Sequence, residues 1–195
     1  MSNKYELTDE TKVVYGVTLH RIRALTAVGV LAAAGQLGGW VESENNLDQS
    51  GNAWVYGNAW VSGNAQVSGN AQVSGNAQVY GNAQVYGNAW VYGNAWVSGN
   101  AWVYGNAQVK KMSHYLLIGP IGSEGRTITI CRTKSDGEVG HYINAGCWTG
   151  TADQLTERIA TAWPELSEKK RARYRSEYEL AIALARPRIE RWERP

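Results

Sequence analysis

The hexad Gly-Asn-Ala-x-Val-x runs ten times without a gap from Gly51 to Lys110. Its fourth position is only Trp or Gln, and its sixth is Tyr or Ser until Lys110 ends the series. A six-residue period is not helical, and a low-complexity linker would not hold Val at every fifth position. The pattern predicts one short strand and one corner per hexad. Within Ala-x-Val-x, alternation sends Ala and Val to one side and the variable residues to the other. Gly-Asn supplies the corner, because both residues tolerate positive φ. Three such sides close a triangular coil, in which Ala and Val stack on their own copies about 4.8 Å away.

Val55 with Ala59, Val61 with Ala65, and each later pair place an aliphatic residue four positions before a small one. In this the chain resembles the hexapeptide-repeat superfamily, and the resemblance implies a left-handed parallel β-helix. Trp40-Val41, Leu47 and then Val55 read as earlier, irregular rungs, with small insertions between Glu42 and Ser50. The expected fold is mainly β: a triangular solenoid of about four coils over residues 40–110. A strand-rich cap over 1–39 precedes it, and an α+β domain over 111–195, ending in two helices, follows. A stack this short exposes strand edges at its ends, so caps are required.

No charged residue occurs between Gly51 and Val109. Assigning every third hexad to one face orders the variable positions. One face reads Trp54, Gln72, Trp90, Gln108, flanked by Tyr56, Ser74, Tyr92 and Lys110. The second reads Trp60, Gln78, Trp96, flanked by Ser62, Tyr80 and Ser98. The third reads Gln66, Gln84, Trp102, flanked by Ser68, Tyr86 and Tyr104. Five Trp and five Tyr on a neutral rod form a surface larger than a monomer leaves wet, of residue types that dominate interface energetics. The ten aromatics are therefore the expected partner-binding residues, for self-association or for another protein. Trp rungs about 9.6 Å apart on one face allow an alternative, glycan recognition. A duplication that copied the first two hexads into the seventh and eighth accounts for the alternation of Trp and Gln.

Many left-handed β-helices are acyltransferases, which place a catalytic His on the coils to deprotonate the acceptor. Here the hexads contain no His, Asp, Glu, Lys, Arg or Cys, and His20, His114 and His141 all lie in the flanks. No catalytic residue, cofactor or metal is expected, and an enzyme working through the flank histidines is the remaining catalytic alternative. Cys131, His141 and Cys147 have no zinc spacing. Gly119–Gly125 is Gly-rich but lacks the Lys-Ser/Thr of a phosphate loop and reads as a turn. No Asp cage for calcium appears in the repeat. The polar N-terminus lacks the apolar core of a secretory signal. The most apolar run, residues 24–36, falls short of the roughly 20 residues needed to cross a bilayer. With two cysteines only, a cytoplasmic setting is expected.

Residues 5–25 read as strands with a turn around Thr8–Thr11, Arg21 and Arg23 lying on a solvated edge; the Ala-rich stretch to Gly39 reads as a short helix or loop. After the repeat, residues 115–118, 127–132 and 139–143 are strand-like, and Asp136-Gly137 is a hairpin signal. Thr151 with Gln154 forms a capping box for a helix carrying Leu155, Ile159 and Ala162, which Pro164 stops. A second helix, capped by Ser167, has Tyr174, Tyr178, Ala181 and Ala185 inside and ends at Pro187. Its basic residues, Lys169 to Arg175, and the tail to Arg194 are interleaved with Glu, leaving +3 over residues 165–195. That balance argues for a solvated face rather than nucleic-acid binding. The flanks YELTDET, GVTLHRIRAL, LGGWVESENNL, LLIGPIGS and GCWTGT resemble those of a group of phage- and prophage-encoded hexapeptide-repeat proteins. Before LGG that group is usually charged, whereas this chain has VGVLAAAGQ. The resemblance implies a phage setting and brings no assigned activity or binding residues.

Overall fold

The computed structural model describes residues 3–135 and 137–193. The chain forms two compact units, Met1–Met112 and Ser113–Pro195.

In the first unit, β1 (Tyr5–Val14), β2 (Val17–Ala24) and β3 (Leu37–Val41) precede ten two-residue strands, one per hexad. These are β4 (Trp54–Val55), β5 (Trp60–Val61), β6 (Gln66–Val67), β7 (Gln72–Val73) and β8 (Gln78–Val79), then β9 (Gln84–Val85), β10 (Trp90–Val91), β11 (Trp96–Val97), β12 (Trp102–Val103) and β13 (Gln108–Val109). They stack in parallel as three faces. The first has the order β13-β10-β7-β4, the third β12-β9-β6, and the second continues from the hairpin as β1-β2-β3-β5-β8-β11. Trp40 pairs with Trp60, and Leu47 bridges to Val67, so both irregular rungs exist. Every hexad Ala and Val is fully buried. The hexad glycines have φ between 63 and 73°, a region open to Gly at no steric cost. At each corner the Asn side chains form a ladder, Asn52 Nδ2 donating to Asn70 Oδ1 and Asn70 Nδ2 to Asn88 Oδ1, both at 3.2 Å.

Amides of one coil donate to carbonyls of the next, as Trp54 N does to Ala71 O at 3.0 Å. The first coil therefore has carbonyls without a rung before them, and unpaired buried carbonyls are costly. The N-terminal segment supplies donors to several of them. Ala59 O accepts from Trp40 N. Ala65 O accepts from the buried Asn46 Nδ2 at 2.9 Å. Ala53 O accepts from the buried Lys4 Nζ at 2.9 Å, which also donates to Ser50 O. Tyr5 Oη donates to Leu47 O at 2.7 Å. The cap is thus a set of donors matched to this rim. At Gly38 a Cβ would lie 2.6 Å from Ile22 and 2.8 Å from Trp54, so only Gly lets β3 close over the coil.

Two expectations for the cap are corrected, and a third is narrowed to one of its alternatives. Strand β1 runs through Thr8–Thr11 with a shift of register, and the turn is at Tyr15-Gly16, both with positive φ, as a two-residue hairpin prefers. Strand β2 is not an edge: it lies between β1 and β3, and Arg21 and Arg23 pair across to Glu10 and Glu6 on the edge strand β1. The Ala-rich stretch is a loop closed by a bridge between Val28 and Ala32.

In the second unit, β14 (Tyr115–Ile121), β15 (Arg126–Ser135), β16 (Glu138–Ala145) and β17 (Trp148–Gly150) form an antiparallel sheet in that order. Gly122–Gly125 is a turn, and Asp136 of the hairpin signal lies outside the described residues. Helices α1 (Ala152–Thr161) and α2 (Glu168–Glu193) share a core with the sheet through Ile128, Ile130, Ile143, Leu155 and Ile182. Thr151 and Gln154 form the capping box of α1. Helix α2 does not stop at Pro187 but passes through it. Ala185, Ile189 and Trp192 are buried on both sides of the proline, and Trp192 Nε1 donates to Ser113 O at 2.8 Å. Packing there outweighs the proline's missing donor. No described helix is long and apolar enough to cross a membrane.

Candidate functional site

The alternation of hexads places the variable residues in the expected columns. Trp54, Gln72, Trp90 and Gln108 pair in sequence on the first face. Trp60, Gln78 and Trp96 do so on the second, and Gln66, Gln84 and Trp102 on the third. Their exposure differs sharply by coil. Trp54 is 0% and Trp60 8% exposed, whereas Trp90 and Trp96 are 37% and 38% exposed. The expectation that all five tryptophans face solvent is therefore corrected for the first coil, where the chain's own N-terminal segment covers them.

Over Trp54 lies Tyr5, edge-on with ring centres 6.3 Å apart. The Trp54 Nε1–H is buried without a hydrogen-bond partner among the described residues. Over Trp60 and Trp40 lies the β1–β2 hairpin, whose Leu19 forms a buried cluster with the two indoles while Val14 and Val17 pack against that cluster. Lys12 Nζ stands 4.4 Å and the Arg21 guanidinium 5.5 Å from the Trp40 ring centre, distances at which a cation is attracted to the ring face. Tyr80 stacks on Trp60 from the next coil at 5.7 Å.

Farther along, Trp90, Trp96 and Trp102 come from consecutive hexads and so girdle a single coil. Tyr92 stacks on Trp90 at 4.4 Å, and Trp90 Nε1 donates to Ser74 Oγ at 3.0 Å. Tyr86 stacks on Tyr104 at 4.9 Å and meets Trp102 edge-on. Burial pushes the Tyr86 phenol up from its ordinary value. Tyr56 Oη donates to Gln72 Oε1 at 2.8 Å. Eight of the ten expected residues thus remain at least partly accessible. The burial of Trp54 also leaves one exposed indole on the first face instead of two spaced rungs.

The titratable candidates lie elsewhere. His20 is on β2, with Nδ1 3.4 Å from Thr8 O. His114 follows the last strand of the solenoid in a short 3₁₀ turn. His141 Nε2 accepts from Ala152 N at 3.0 Å and its Nδ1 meets Glu193 Oε1 at 2.8 Å, so both ring nitrogens are engaged. Cys131 pairs with Tyr142 across the sheet while Arg132 pairs with His141. Consecutive residues on a strand point to opposite faces, which separates the Cys131 thiol from the imidazole. Burial pushes that thiol up to about 12, and Cys147 is exposed in a turn. A cleft of about 280 Å³ between α1 and α2 is lined by Arg171 and Arg175. Both guanidiniums are engaged by backbone carbonyls: Arg175 reaches Ala160 O at 2.7 Å and Arg171 reaches Pro164 O at 3.3 Å.

Residues 65–81, 77–93 and 83–99 each match the family model described as YdcK beta solenoid repeat. Each matched segment is close to the 18-residue spacing that separates stacked asparagines. The chain is a β-solenoid repeat protein. The match lies wholly inside the hexads and spans less than half of the chain. No curated protein matches it.

Proposed function

We propose that this solenoid is a non-catalytic binding module whose aromatic belt, centred on Trp90 and Trp96, associates with another protein surface, a second copy of the chain included. The observation that carries the reading is the exposure of two large indoles on one coil of a rod with no charge between Gly51 and Val109. Exposed Trp and Tyr gain most from burial at an interface. A hydrogen bond to Ser74 and stacking on Tyr92 hold the Trp90 ring in place before binding, so little rotamer entropy remains to be lost. The hexad pattern supports membership of the hexapeptide-repeat superfamily and a left-handed coil. The flanks support a phage setting, in which the partner is a host protein in the cytoplasm.

The test is the solution mass of the wild type and of Trp90→Ser/Trp96→Ser over a concentration series, with both forms used as bait in a host lysate. The wild type is expected to exceed the monomer mass or to retain proteins that the double variant does not. Identical masses and identical retained proteins for the two forms would end the reading.

A further inference from the structure

Trp90 lies on the first face and Trp96 on the second, on either side of the corner Gly93-Asn94. Both indoles are more than a third exposed. Three faces close each coil, so neighbouring faces point away from each other across a sharp edge. A flat or convex surface, a second rod included, touches one of them at a time. What covers both indoles has to bend over the corner, as an extended segment of chain can. The corner itself offers donors. Asn76 Nδ2 donates to Asn94 Oδ1 at 3.2 Å, and 18 positions farther on stands Met112 rather than another asparagine. Asn94 is therefore the end of its ladder, exposed, with its own Nδ2 hydrogens left for an outside acceptor. Lys110 adds a cation. It follows Tyr92 in the column beside Trp90, and a Cβ at Gly93 would lie 3.2 Å from its Cγ, so its stem rests on this corner. Lys110 and Lys111 are both exposed, and no Asp or Glu occurs in the hexads.

We infer that the corner between Trp90 and Trp96 docks an extended acidic segment of a partner protein, with apolar or aromatic residues against the two indoles and an Asp or Glu at Asn94 and Lys110. This rests on the reading of the belt as a protein-binding surface and names the chemistry of its partner. The indoles gain from burial under apolar side chains. One carboxylate accepts from the Asn94 amide and the Lys110 ammonium together, in charge-assisted bonds stronger than neutral ones. A basic segment would instead set like charges side by side at Lys110, which works against binding.

The probe is a random copolymer of glutamate and tyrosine, with a copolymer of lysine and tyrosine of the same length as its counterpart. Each is titrated into the full chain labelled with 5-fluorotryptophan and followed by fluorine NMR, the Trp90 and Trp96 signals being assigned with Trp90→Ser and Trp96→Ser. A saturable shift of both signals is expected with the acidic copolymer alone. Binding should be at least about tenfold weaker in Lys110→Glu/Lys111→Glu, where like charges meet, and retained in Lys110→Arg. The signal of the buried Trp54 stays in place in each variant that is folded. Equal shifts with both copolymers, a shift of one indole without the other, or undiminished binding by the charge-reversed form would overturn the inference. So would unmoved signals at roughly millimolar acidic copolymer. Any of these results, found while Trp90→Ser/Trp96→Ser still loses mass or retained proteins, overturns only the acidic class of partner and leaves the belt as a binding surface.

Discussion

Residues 51–65 and 87–101 share every side chain and differ most in the surroundings of their tryptophans. In the first, Trp54 is sealed beneath Tyr5 and leaves its indole N–H without an acceptor. In the second, Trp90 is more than a third exposed and its N–H reaches Ser74. Each has what the other lacks, a dry ring or a satisfied donor. The backbone is the same in both, so the hexad determines where a ring is attached and the flanking chain determines whether it is wet.

The largest expected difference between the copies is in stability. Trp54→Ala should cost about 3–5 kcal/mol as a cavity in a closed core, whereas Trp90→Ala should cost under about 1 kcal/mol. Urea unfolding of the full chain measures both, and equal costs would mean that the N-terminal cover contributes nothing to Trp54. Next in size is the pH response of the cover itself. Burial lowers the Lys4 amine from 10.5 to about 8, against the opposing attraction of Asp48. Between those values the unfolded chain binds the extra proton, so stability rises with pH across that window, by on the order of 2 kcal/mol. Burial raises the Tyr5 phenol above its ordinary 10.0. Above that pH the unfolded chain alone loses its proton, and stability falls. A maximum near pH 10 is therefore expected in thermal unfolding, and Lys4→Met should flatten its acid side.

A smaller contrast concerns the corners at the two ends. Gly51 and Gly105 have φ of +64 and +63°, but a Cβ at Gly51 would sit 2.6 Å from Gly69 O while one at Gly105 meets nothing within 4 Å. Both alanine variants incur the positive-φ cost, and Gly51→Ala should be worse by about 1 kcal/mol. Smallest is the ladder: Asn76→Ala removes exposed amide bonds to Asn58 and Asn94 and should cost about 0.5 kcal/mol. A loss several times larger would make the ladders a main support of the rod.

The hexads could be read to the level of columns because their period is exact. Pairing Trp90 with Gln72 and Trp96 with Gln78 needs only the rule that three sides make a coil. The early rungs at Trp40 and Leu47 were legible for the same reason, since each keeps an apolar residue at the inward position. The burial of Trp54 and Trp60 was not legible: their covers, Tyr5 and Leu19, come from a hairpin whose landing place no local pattern encodes. The carbonyl rim that Lys4 and Asn46 satisfy was invisible too, because a repeat has no sequence signal for where its first coil lacks a predecessor. The asparagines signalled corners, yet their side-chain ladders follow only once coils are stacked in register. Pro187 reads as a stop by local propensity alone, whereas buried Ala185 before it and Ile189 and Trp192 after it hold the helix on both sides.

From Asn52 to Asn82 each corner asparagine donates to the one 18 positions later, which makes that interval the unit of length of the rod. Adding or deleting a whole interval extends or shortens the prism while every other side chain keeps its face and both ends keep their partners. Any other multiple of the hexad would rotate the downstream faces around the axis. Segment 87–101 lies two such units after its twin, so the rod can carry its indoles outward by simple addition, as a graduated spacer whose marks always fall on the same side.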